Sequence, residues 1–144
     1  MTTSSAGSTS RRTAQANVDL GLLLLRVWFG VTLAVLHGWG KAATLLSGDS
    51  GEFPSVLGIP PTLSCLLAVM AEVVAALLVA VGMVTRLAAL YLCVFFLITI
   101  FAMHGGSLIG EDGGEMAFLF LGVFAAIATI GPGGYSIDGM PRVR

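Results

Sequence analysis

Glu72 stands in the middle of an apolar stretch, residues 62–84, and Arg26 interrupts another, residues 20–37. A charge at membrane depth is costly unless it faces protein, water or a partner, so each needs a reason to be there. A guanidinium and a carboxylate on neighbouring apolar segments have three uses: a structural ion pair that fixes helix register, a proton relay, or a cofactor contact. Further along, His37 and Lys41 close the first segment, and His104 and Glu115 flank a glycine-rich stretch. Histidine exchanges a proton near neutral pH and lysine attracts negative charge, so these four are candidate contacts for an anionic or quinone-like headgroup. The histidines have two other readings, haem or metal ligation and plain contact with lipid headgroups and water. Haem is the weaker cofactor expectation beside quinone, and no metal centre is expected.

These residues need elements to position them, and composition says which kind. Of 144 residues, 56% are hydrophobic and 10% charged, far from the soluble norm. The net charge of −1 comes without a basic block, which argues against nucleic acid as a partner. The two cysteines, Cys65 and Cys93, lie at depths that differ by more than ~15 Å at helical rise, too far apart to bridge. A thiol-pair redox mechanism is therefore not expected.

About twenty apolar residues cross a bilayer as a helix. The sequence predicts an all-α, four-transmembrane-helix bundle with spans at about 18–38, 62–84, 87–103 and 115–131, the last at the short limit and alternatively re-entrant. Residues 1–17, rich in Ser, Thr and Ala, read as a disordered polar tail, 18–138 as the membrane domain and 139–144 as a second tail. Arg11, Arg12, Arg86, Arg142 and Arg144 fall on one side and Lys41 on the other, which puts both termini in the cytoplasm. Asp49, Glu52, Glu111, Asp112 and Glu115 make the opposite face acidic. The expected location is the cell inner (plasma) membrane, multi-pass. Pro60 and Pro61 prepare the start of the second span, and Gly131-Pro132-Gly133-Gly134 stops the last.

Helical periodicity sets Arg26, Gly30, Ala34, His37, Gly38 and Lys41 on one side of the first span. Ala68, Glu72, Ala76 and Ala80 line the second, and Glu115, Gly122, Ala126 and Thr129 share a side of the fourth. Small residues at this spacing allow close helix approach in lipid, so all three faces are expected to point inward. Arg26 lies about 9 Å into its span and Glu72 about 15–18 Å, a gap the long arginine chain closes in part; the two are the candidate buried polar pair.

The run Leu25-Arg26-Val27-Trp28-Phe29-Gly30, then His37-Gly38-Trp39-Gly40-Lys41, resembles the opening of the DoxX family of small membrane proteins. Leu57-Gly58-Ile59-Pro60, Ala71-Glu72, Gly82-Met83-Val84-Thr85-Arg86, His104-Gly105-Gly106, Glu115 and Gly131-Pro132-Gly133-Gly134-Tyr135-Ser136-Ile137-Asp138 extend the likeness in order from Gly21 to Asp138. The resemblance implies a four-helix integral membrane protein. It also implies a loose link to membrane oxidoreduction, through relatives of the DoxD-type subunit of an archaeal thiosulfate:quinone oxidoreductase. Three roles compete: a membrane or accessory subunit of a quinone-linked or stress-related oxidoreductase complex, a structural scaffold, and a small proton-linked transporter. The chain has no flavin, iron–sulfur or thiol-pair motif, so a non-catalytic subunit is expected over an enzyme acting alone, with redox centres on a protein partner. A transport path through four spans would require a homo-oligomer.

Overall fold

A computed structural model describes residues 4–109 and 113–140, with side chains from Ser10 onward. The acidic Glu111 and Asp112, and the basic Arg142 and Arg144 that entered the orientation argument, lie outside the described residues. The first rod, α1, covers 4–47: α-helix Ser4–Thr32, a π-helical segment Leu33–Gly38 and α-helix Trp39–Ser47. Rod α2 is Pro61–Val81 and contains a π-helical segment, Met70–Ala75. Rod α3 is Thr85–Met103, π-helical over Thr99–Met103. Rod α4 is Glu115–Ile130. The first three are long and apolar enough to cross a membrane, and α4 is a shorter apolar helix.

The boundaries follow local chemistry. Gly48 ends α1 in the left-handed conformation at φ 87°, which a residue with a Cβ adopts only at a cost. Pro61 occupies the first turn of α2, where its missing N–H is no loss. At the far end of α2, Gly82 turns left-handed at φ 76°, and the amides of Gly82 and Met83 both return to the Leu78 carbonyl. Rod α1 overruns its expected end at 38 because Gly38 keeps ordinary helical angles (φ −81°, ψ −37°), so the helix carries Lys41 onward in phase. At its start, helix reaches back to Ser4, into the stretch whose composition suggested a disordered tail; no proline or glycine pair stands there to break it.

The rods form an antiparallel ring, α1 against α2, α2 against α3, α3 against α4, and α4 back to α1. Residues 48–60, 104–109 and 113–114 share one end of the bundle, the upper end. The 82–84 turn and residues 131–140 share the lower. Inside, Leu33, Val79, Leu92 and Ile127 meet a stack of Phe96, Phe120 and Phe124, with ring centres 5.4 to 6.1 Å apart.

Close approach of α1 and α2 depends on two glycines. A Cβ at Gly30 would lie 2.6 Å from the Ala76 carbonyl oxygen, and one at Gly38 would lie 2.6 Å from Val73 Cγ2 and 2.9 Å from the Glu72 carbonyl. The small faces of α1 and α2 therefore do point inward, as periodicity indicated. The face expected of α4 does not. Glu115, Gly122, Ala126 and Thr129 are exposed, while Ala117, Phe120, Phe124 and Ile127 are buried. Here aromatic bulk fills the core, and the small residues are left on the outside.

Candidate functional site

Lys41 and Glu72 meet directly. Trp39–Ser47 brings the lysine over the π-helical segment of α2 that holds the carboxylate, and the Lys41 ammonium donates to Glu72 Oε2. The Glu72 side chain is 7% exposed and that of Lys41 is 30%, so the pair sits at the edge of the packed interior. The π turns matter here. A widened turn shifts the register of the side chains beyond it by about one residue, and such turns gather at functional sites. Those of α1 and α2 pack against each other, whereas the third ends α3, where it meets α4.

The ion pair forms part of the wall of a cavity of about 220 Å³. Its remaining lining is mostly apolar: Leu67 and Ala68 of α2, Phe95 and Ile98 of α3, and Phe53 and Leu57 of the upper loop. Ser64, Tyr91 and Thr99 add polar atoms. The loop roof is held by Ser50 Oγ donating to Thr62 Oγ1 at 3.2 Å and by the Val56 amide donating to Ser64 Oγ at 3.3 Å. An apolar chamber with a few convergent polar groups is the usual form of a small-molecule site. An ammonium and a carboxylate side by side can donate to one oxygen of a guest and accept from another.

Arg26 does not join Glu72. In the antiparallel register Gly38 lies against Glu72 and Gly30 against Ala76 and Ala80, which leaves Arg26 beside Gly82. Twelve residues of helix separate Arg26 from Gly38, about 18 Å, more than an arginine chain spans. The expected Arg26–Glu72 pair is thus two separate sites, each buried, one near either end of the bundle. Arg26 is fully buried, and its Nη2 donates to the Tyr135 carbonyl at 2.5 Å. Its Nε and Nη1 have no hydrogen-bond partner among the described residues. Around it, residues after α4 fold back as a strap. The Gly134 amide donates to Asp19 Oδ1 at 2.9 Å, the Asp138 amide donates to the Gly82 carbonyl, and Asp138 accepts from the amides of Val84 and Thr85 and from the Thr85 hydroxyl. These bonds hold the Asp138 carboxyl below the usual carboxylate range, the Thr85 amide contributing most and the nearby Arg26 charge adding to it. They also cap the N-terminus of α3 and fix Val84 at an unfavourable φ of 50°.

The other expected contacts are dispersed. His37 is half-buried and turns its ring edge-on to Phe120, 5.7 Å between centres, away from the cavity. His104 packs its ring over Gly114 at the upper end of α3. Glu115 is exposed in the first turn of α4, where a carboxylate suits the helix dipole. Of the four proposed headgroup contacts, only Lys41 lines the chamber. Two contributors, Asp138 and Tyr91, were not among the expected site residues. Asp138 was legible as a lone acid after a glycine turn, and Tyr91 as a phenol within an apolar helix.

A family model described as DoxX matches residues 21–105. "Inner membrane protein YqjF" of Escherichia coli (strain K12) is 31% identical over 126 residues, which cover 83% of this chain and 91% of that protein. No solved structure matches the chain.

Proposed function

The chain belongs to the DoxX family of membrane proteins, and from that premise we propose that it serves as the membrane subunit or accessory protein of a quinone-linked oxidoreductase complex. The observation that carries this reading is the Lys41–Glu72 pair set in the wall of an otherwise apolar chamber. A quinone headgroup offers carbonyl oxygens that accept from Lys41, and its reduced form offers hydroxyls that donate to Glu72. Electrons would come from a protein partner, because the chain carries no flavin, iron–sulfur or thiol-pair motif. In this reading all four rods cross the inner membrane, α4 in locally thinned lipid, with the strap end of the bundle in the cytoplasm beside Arg11, Arg12 and Arg86.

A second reading draws on the same ion pair. Lys41 and Glu72 satisfy one another, and a closed pair that ties α1 to α2 also suits a scaffold. Purification from native membranes in mild detergent separates the two, with mass spectrometry for bound quinone and for co-purifying proteins. Quinone retained by the wild type and lost in a well-folded Glu72→Gln variant supports the chamber. A protein recovered alone and without quinone overturns the redox role and favours the scaffold.

A further inference from the structure

The chamber has a neighbour. A second hollow, about 410 Å³, lies between α2 and α3 and runs toward the lower end of the bundle. It is lined by Met70, Val74 and Leu78 of α2, by Leu87 and Ala88 of α3 and by Val84 of the turn between them, with no charged group among them. Both hollows share two residues, Leu67 and Tyr91. The Tyr91 hydroxyl donates to the Leu67 carbonyl at 3.1 Å, joining the two rods at the point where one hollow gives way to the other. Counted along α3 from Met103 to Val84, the two span nineteen residues, or about 28 Å at helical rise, close to the thickness of a bilayer's hydrocarbon core.

We infer that the ligand is an amphiphile whose polar head stands at Lys41–Glu72 and whose hydrocarbon tail leaves past Tyr91 and lies in the groove between α2 and α3. This rests on the chamber being a head site, as proposed above. Continuity assigns the occupant. A head held against Glu72 has Lys41 of α1 beside it and the Phe53–Leu57 roof above, and the chamber's flank along Leu67, Tyr91 and Val94 is exposed and borders the groove. A tail that leaves on this flank enters the apolar groove directly, because Leu67 and Tyr91 line both hollows. Transfer from lipid into the groove adds little free energy, since acyl chains are as apolar as leucine. The groove therefore selects by shape. It admits one unbranched or prenyl-like chain, and blocking it forces the tail of a seated ligand into a clash.

The test uses the full chain in lipid nanodiscs and two probes, a dimethoxy-methyl-benzoquinone bearing a decyl chain and its tailless parent. Val74→Trp fills the groove from an exposed position, and Leu90→Trp places the same ring on the outer face of α3, away from it. Val74→Trp should weaken the decyl probe about fivefold or more, from steric exclusion alone. It should leave the tailless probe within about twofold, and Leu90→Trp should alter neither. Equal effects of Val74→Trp on both probes, or no effect on either, overturn the tail path while leaving the head site standing. Failure of the wild type to bind either probe overturns the head site, and the tail path falls with it.

Discussion

Glu72 and Lys41 illustrate how much a buried charge depends on its partner. Removing one member of such a pair strands the other, whereas replacing both with apolar groups of similar shape is often tolerated. Glu72→Ala should therefore lower stability by about 3 kcal/mol, the low end of the usual cost, because Lys41 keeps some solvent contact. The double variant Lys41→Met/Glu72→Leu should recover most of that loss. Thermal unfolding in detergent reads both; a double variant worse than the sum of its parts would argue against a simple pair. Asp138 supplies a pH-dependent counterpart. Its carboxyl is held below its ordinary value in the fold, so its bonds to Val84 and Thr85 contribute fully above about pH 4, the unfolded value. That contribution fades as pH falls through the lower folded value. A carboxyl titration followed by NMR should show Asp138 protonating at lower pH than a free aspartate, and Asp138→Ala should abolish the matching acid-side loss of stability.

At the scale of elements, α1 and α2 were readable because the small residues recur at helical spacing and the structure buries them against each other. Gly30→Ala and Gly38→Ala should each destabilise by about 1–3 kcal/mol, because the added methyl meets backbone across the interface. Gly122→Ala on α4 meets nothing within 4 Å and should be neutral or gain up to about 1 kcal/mol from helix propensity. The pairing of these outcomes checks which face of each rod is inward. The same periodicity misassigned α4, since small residues and phenylalanines alternate around that helix and nothing in the pattern says which set packs. It also missed the Lys41–Glu72 pair, for a physical reason. The partner of Glu72 depends on how far α1 continues past Gly38 and on two π turns that shift side-chain register, and neither is written in hydropathy. Membrane character, helix boundaries within a turn or so for α2 to α4, and the burial of Arg26 and Glu72 were all legible.

For the molecule as a whole, the proposed orientation has a direct check. A cysteine at Gly51, an exposed position with nothing within 4 Å, should react with an impermeant maleimide in intact cells, and one replacing the exposed Ile137 should react only after lysis. The opposite pattern would invert the topology. The strap at the lower end adds a matter of timing. Arg26 emerges from the ribosome more than a hundred residues before Tyr135, yet Tyr135 supplies the carbonyl that receives its guanidinium. Until the final segment is made, the inserted helices hold an arginine still waiting for its acceptor, and the bundle cannot close at that end. A stop codon placed after Gly134 should thus give a chain that reaches the membrane and is degraded there, a defect of completion instead of insertion.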